Sequence, residues 1–120
     1  MSTESYPAML QSLNADLDRL RTDAADPMRA FSALASAALK PGSLDVRTKE
    51  LIATAIAVAI RCDGCIGFHV KAAIKAGASR EDILETLSMA VYMGAGPSVL
   101  YAAQALRAFD ELGAAAGATP

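Results

Sequence analysis

The sequence predicts an all-α fold, a compact bundle of about six helices, and three observations favour it. Alanine, the strongest helix former, is abundant beside Leu, Ile and Val. Apolar residues recur at three- and four-residue steps, as they do along one face of a helix, and no segment alternates with the period of two that strands require. Gly and Pro residues interrupt these apolar patterns at short intervals, where helices are expected to end.

The first three helices are predicted from apolar periodicity and from capping residues. The first covers about residues 4–21, where four leucines form one stripe. The second begins at Asp26-Pro27, which resembles an N-cap followed by a first-turn proline, and ends near residue 40. The third covers about residues 45–61. Its second half is apolar or small on every face and must be covered all round, so we expect a homo-oligomer.

The remaining helices are separated by recognisable end signals. The fourth is expected to end near Ala76, with Gly77 as the residue beyond its C-cap. Ser79 and Asp82 resemble a capping box that starts a fifth helix running to about Met93. A break at residues 94–97 precedes a sixth helix that ends near residue 112. Four residues on these last three helices are candidate walls of a pocket, although the core is their expected place: Phe68, Met89, Met93 and Tyr101.

Length, charge and termini limit the possible classes of protein. We expect a single domain over residues 1–120. The net charge of −2 and the lack of a Lys/Arg cluster indicate no nucleic-acid partner. Residues 87–106 are uncharged, but glycines and a proline interrupt them, so we expect two short helices and no membrane span. The N-terminus lacks the pattern of a signal peptide, and we therefore expect a cytoplasmic protein.

The two cysteines of the chain, Cys62 and Cys65, are three residues apart. So short a loop gives little structural stabilisation, and such a pair in a chain without a secretion signal is usually catalytic or a metal-ligand set. At the start of a helix, this spacing brings the sulfurs within reach of one disulfide. The unpaired N–H groups of a helix start also favour the reactive thiolate, as does Arg61, whereas Asp63 opposes it.

His69, the only histidine, lies four residues after Cys65 and therefore one turn along the same helix face. It could take the proton of the thiol or stabilise the thiolate. A metal site is the main alternative: Cys62, Cys65 and His69 are plausible ligands, with Glu50 as a fourth, but a second separated ligand pair is lacking. In that alternative, the chain is a non-catalytic metal-binding or assembly module.

A resemblance to a known family rests on these residues. Glu50, Cys62, Cys65 and His69, at spacings of twelve, three and four residues, with the alanines and glycine of residues 72–78, resemble the alkylhydroperoxidase AhpD-like core of the carboxymuconolactone decarboxylase superfamily. The resemblance covers about residues 45–106. It implies an all-helical fold, trimers or hexamers of small subunits, and reduction of a hydroperoxide substrate or of a partner's disulfide. It implies no cofactor.

The resemblance also implies a role for each site residue. Cys65 resembles the cysteine that attacks the peroxide and Cys62 the resolving cysteine, while His69 and Glu50 resemble members of a proton relay. An external dithiol or thiol protein would restore the pair. The best-known members carry a histidine at the position of Gly64, so the relay here is shorter. The decarboxylase branch generally lacks the cysteine pair, which argues against lactone decarboxylation in this chain.

Overall fold

The computed structural model of the chain describes residues 4–117, which form five α-helices and no strand. The helices are α1 (Tyr6–Asp23), α2 (Ala25–Leu39), α3 (Val46–Ala59), α4 (Asp63–Lys75) and α5 (Arg80–Ala115). The predicted all-α class is therefore confirmed.

The core lies between α3, α4 and α5, which pack closely on one another, and α1 packs against α4 and α5. Its fully buried side chains alternate small alanines with larger residues, which lets the helix backbones approach closely. The largest of these side chains come from four helices: Tyr6, Val58, Ile66, Val70 and Ile83. This arrangement places the start of α4, with the cysteine pair, beside α1 and α3.

The predicted number of helices is wrong, because the expected fifth and sixth helices form one kinked element, α5. Only Ala95 leaves the helical conformation, with φ 55° and ψ −142°. Pro97 follows two residues later, in the first turn of the second half, where its missing N–H breaks no helical hydrogen bond. The predicted break at residues 94–97 is therefore a kink at Ala95, and no loop separates the two halves of α5.

Three of the predicted helix ends are confirmed and one is wrong. Asp45 caps α3 through its carboxylate, and Ser79 and Asp82 form the expected capping box of α5. Gly77 has a φ of 93° just beyond the end of α4. Asp26, in contrast, lies inside α2, whose N-cap is Ala24 without a side-chain hydrogen bond. Helix formation can start earlier there because a proline is tolerated throughout the first turn.

Several large apolar side chains are exposed, and two of them were expected in the core. Helix α2 has no buried residue. Met89 and Met93, which were expected in the core, are 58% and 77% exposed, whereas Phe68 and Tyr101 pack partly against it. By length and composition alone, α5 could cross a membrane. Its backbone is kinked at Ala95.

Candidate active site

The turn between α3 and α4 brings the cysteine pair to the start of a helix. The Arg61 N–H donates to the Val58 carbonyl at 3.1 Å, and the Cys62 N–H donates to the Ala57 carbonyl at 3.0 Å. These two bonds are those of a Schellman motif, which closes a helix with one left-handed residue. Arg61 is that residue, with a φ of 59°. Cys62 completes the end of α3 and is also the N-cap of α4.

Cys62 and Cys65 form a disulfide, with their Cα atoms 5.2 Å apart. This confirms that the spacing at a helix start allows one bond between the two sulfurs. The backbone N–H of Cys65 donates to Cys62 Sγ at 3.2 Å, so the sulfur takes the place of a capping oxygen. Both cysteines are partly buried, and Cys65 packs against the hydrophobic core.

Glu50 and His69 are in direct contact beside this disulfide. His69 Nδ1 lies 2.7 Å from Glu50 Oε1, and His69 follows Cys65 by one turn of α4. In one straight helix Glu50 and Cys62 would stand about 18 Å apart, but α4 folds back onto α3. Glu50 thus reaches the site through His69. Its side chain is 6% exposed and that of His69 is 37% exposed, so the pair runs from the interior to the surface.

Glu50 also lines an open groove of about 710 Å³ between the start of α3 and the end of α4. Arg47 and Lys75 lie on its walls, and the carboxylate of Asp82 lies 3.7 Å from the Arg47 guanidinium. Glu50 therefore contacts His69 through its carboxylate and also contributes to the wall of this groove.

Helix α1 covers the face of α4 that carries the residues between the cysteines. A Cβ atom added to Gly64 would lie 2.9 Å from Leu13 Cδ1, and one added to Gly67 would lie 2.7 Å from Leu10 Cδ2. Neither position has room for a side chain unless these leucine side chains move. At Gly64, where better-known relatives have a histidine, Leu13 therefore occupies the space that a side chain would need.

Tyr6 lies beneath the motif as a fully buried phenol. Its hydroxyl lies 3.4 Å from Gln104 Oε1, and the Arg107 guanidinium lies 4.9 Å from the centre of its ring. Burial raises the pKa of Tyr6 to about 12, and the negative charge of Asp63 adds to the rise. No sequence pattern pointed directly to Tyr6 or Gln104. A signal was available in Gly67, because a glycine inside a helix indicates the close approach of another element.

Among residues 4–117, no group of three or more His, Cys, Asp and Glu side chains is arranged to hold a metal ion. The disulfide also engages the two sulfurs that the metal alternative requires as thiolates. The structure therefore brings three predicted site residues, Cys62, Cys65 and His69, onto the N-terminal half of α4, and it adds Glu50 through its contact with His69.

Comparison with known proteins gives one consistent family. The model of the carboxymuconolactone decarboxylase family matches residues 25–108. A family member from Legionella pneumophila has a crystal structure that is 51% identical, with a TM-score of 0.87 over 89% of this chain and 96% of that one. A family member from Thermotoga maritima, for which an antioxidative role has been suggested, is 30% identical, with a TM-score of 0.80 over 92% and 97% of the two chains.

An uncharacterized protein of Cupriavidus necator is 38% identical over 93% of this chain and 99% of its own length. An uncharacterized protein of the cox locus of Paracoccus denitrificans is 43% identical over 69% of this chain and 75% of its own. The family model covers well over half of the chain, and the fold agrees with that of both solved relatives. This chain belongs to the carboxymuconolactone decarboxylase family, within the AhpD-like superfamily.

Proposed function

We propose that this protein is a thiol-dependent peroxidase that reduces hydroperoxides through a reversible Cys62–Cys65 disulfide. The observation that carries the proposal is the half-exposed disulfide at the start of α4, one turn from the His69–Glu50 pair. A sulfur at such a position is stabilised as a thiolate by the helix N-terminus, and a nearby base can take its proton. The suggested antioxidative role of the Thermotoga maritima relative agrees with this chemistry.

The proposed reaction begins when His69 accepts the proton of the Cys65 thiol. The Cys65 thiolate attacks the peroxide, the O–O bond breaks, and the sulfur becomes a sulfenic acid. The leaving alkoxide takes the proton from His69 and departs as an alcohol. The Cys62 thiol then attacks the Cys65 sulfur, the S–O bond breaks, and the hydroxyl group leaves with the proton of Cys62 as water. Two electrons pass from the thiol pair to the peroxide.

Restoring the thiols requires an external dithiol, which exchanges with the disulfide and is itself oxidised. The half-exposed position of Cys62 and Cys65 suits such an exchange. Glu50 supports His69 by accepting from its Nδ1 and by connecting it to the groove beside α3. Glu50 touches neither thiol in this scheme, so we assign it a positioning role.

Titration of thiols against peroxide tests this proposal. One equivalent of a hydroperoxide should remove both thiols of the reduced chain and yield one alcohol. Cys65→Ser should abolish the reaction, while Cys62→Ser should react once and retain a sulfenic acid that a dimedone probe captures. Peroxide turnover by Cys65→Ser would contradict the assignment. If the reduced chain ignores peroxide but reduces a partner's disulfide, the chain is a disulfide reductase instead.

The exposed apolar side chains support assembly with further copies of this chain. Ile52 and Ile56 on α3 and Ile60 at its C-cap recur at four-residue steps and are 44%, 55% and 63% exposed. The neighbouring helix α2 buries no residue within its own chain and presents Phe31 and Leu34 to solvent. Isolated exposed apolar residues are ordinary, but a continuous stripe beside an uncovered helix is typical of an interface. We infer that the chain forms a homo-oligomer, either a trimer or a hexamer. The cytoplasmic location stays a prediction.

A further inference from the structure

Asp63, between the two cysteines, lies on the face of α4 that α1 covers. Gly67 follows Asp63 by one helical turn on that face, and the Tyr6 ring packs so closely there that a Cβ on Gly67 would lie 3.0 Å from Tyr6 Cδ1. Asp63 Oδ1 is buried and has no hydrogen-bond partner in residues 4–117. A carboxylate oxygen shielded from water acts on its neighbours through a medium of low dielectric constant.

Tyr6 and Gln104 complete a polar cluster behind the cysteines. The Tyr6 hydroxyl lies 3.4 Å from Gln104 Oε1, and Gln104 is 8% exposed. Gln104 Nε2, like Asp63 Oδ1, is buried without a partner in the described part of the chain. A donor and an acceptor are therefore left unpaired, and the pKa of the Tyr6 phenol is raised by its burial and further by the negative charge of Asp63. Unpaired buried polar atoms are rare in folded proteins, and stored strain or a catalytic role can account for them.

The helix geometry alone favours the wrong cysteine for the proposed reaction. Cys62 is the N-cap, and its sulfur accepts the Cys65 N–H at 3.2 Å. After reduction, this bond and the helix dipole would stabilise a thiolate at Cys62, which is the resolving residue in the proposed function. Some other group must therefore oppose the Cys62 thiolate. Arg61 is exposed and positive, so it cannot do so, whereas Asp63 is adjacent and negative.

We propose that Asp63 is a positioning residue that keeps Cys62 as a neutral resolving thiol, so that Cys65 alone is the attacking thiolate. Tyr6 packs against the same face of α4 one helical turn away, where Asp63 Oδ1 is buried. His69 activates Cys65 from the other side of the helix start. The inference rests on the proposed function, because it explains how two sulfurs at one helix start take different roles.

The experiment measures the rate at which iodoacetamide alkylates Cys62 at pH 7 in the Cys65→Ser chain, where no disulfide forms. Asp63→Asn in this background should raise the rate about tenfold, which corresponds to about one pKa unit in the thiol. Asp63→Glu, which keeps the charge, should stay within about threefold of the parent. Asp16→Asn is the matched control, since it removes an equal charge from an exposed site on α1 and should leave the rate unchanged.

The proposal is overturned if Asp63→Asn lowers the rate of Cys62 alkylation or changes it by less than twofold from that of the parent Cys65→Ser chain. A double-mutant cycle tests the role of Tyr6. Tyr6→Phe should change the rate of Cys62 alkylation when Asp63 is present, and it should leave that rate unchanged in a chain that also carries Asp63→Asn. Equal changes in both backgrounds would remove Tyr6 from the proposal. The assay contains no peroxide. If the chain does not reduce peroxide but Asp63→Asn still gives the tenfold increase, the proposed function is wrong and this inference stands.

Discussion

Glu50 and His69 are nineteen residues apart in the sequence and 2.7 Å apart in the structure, through Glu50 Oε1 and His69 Nδ1. The contact exists because α4 turns back along α3 at a three-residue connection. A buried carboxylate fixes the ring of a half-exposed imidazole at the surface beside Cys65. This relationship gives the cysteine pair an oriented base, which a CxxC sequence by itself does not supply.

Removing the base should slow the reaction of Cys65 with peroxide. We expect His69→Asn to lower the rate about 100-fold, since positioned bases typically contribute that much or more. Glu50→Gln keeps the size and an acceptor oxygen but loses the charge, so its loss should be smaller, about tenfold. Stopped-flow measurement of thiol loss gives both rates. If Glu50→Gln is slower than His69→Asn, Glu50 acts directly on the thiol and the positioning role is wrong.

Arg61 holds a left-handed conformation in which glycine is usual. A non-glycine residue loses about 1–2 kcal/mol there, so Arg61→Gly should raise the free energy of unfolding by up to about 1 kcal/mol after the entropy of glycine is counted. Gly77 occupies the equivalent position at the end of α4, with φ 93°. Gly77→Ala is therefore the matched control and should destabilise. Urea unfolding with the disulfide intact measures both, and a destabilised Arg61→Gly would show that the Arg61 side chain makes a stabilising contact.

Restoring the histidine of better-known relatives should be harmful in this chain. Gly64→His forces Leu13 away from α4, because even a Cβ would lie 2.9 Å from Leu13 Cδ1. Overpacking of this kind costs about 1–3 kcal/mol. Adding Leu13→Ala to Gly64→His should recover part of that loss, whereas Leu13→Ala alone should destabilise. Thermal unfolding of the three variants tests this, and full additivity of the two changes would contradict the contact.

The phenol of Tyr6 should make the fold sensitive to alkali. In the unfolded chain a tyrosine ionises near pH 10, whereas Tyr6 in the folded chain keeps its proton to about pH 12. Between these values the unfolded state binds fewer protons, so stability falls as the pH rises, by about 2 kcal/mol over the window. Tyr6→Phe should show a flatter decline between pH 10 and 12 in urea unfolding. Parallel curves for the two proteins would contradict the burial of an ionisable phenol.

A charge on the exposed stripe of α3 should disrupt the inferred assembly. Ile56→Lys places an ammonium group in the middle of the stripe that Ile52 and Ile60 complete, and an unpaired charge is costly in an interface. Analytical ultracentrifugation should then report the 12.4 kDa chain instead of an oligomer. Leu20→Lys on α1, which does not contact α3, is the control and should leave the mass unchanged. A parent protein that sediments as a monomer would contradict the inference.

Local signals in the sequence were sufficient for the fold class, for most of the caps and for the disulfide. The capping box at Ser79 and the glycine at residue 77 depend on neighbours a few positions away, and so does the reach between two sulfurs in Cys62-x-x-Cys65. The second helix start was misplaced at Asp26 because proline tolerates several first-turn positions, so composition alone does not fix the boundary.

The sequence by itself determined that this chain is helical and that a dithiol at a helix start lies four residues before a histidine, since each of these is a relation between close neighbours. Only the tertiary structure decided that Glu50 faces His69, that Leu13 fills the space at Gly64, and that Tyr6 packs against Gly67. Those three depend on the angles at which separate helices cross. Such angles are set by the packing of all the side chains together, which no local spacing encodes.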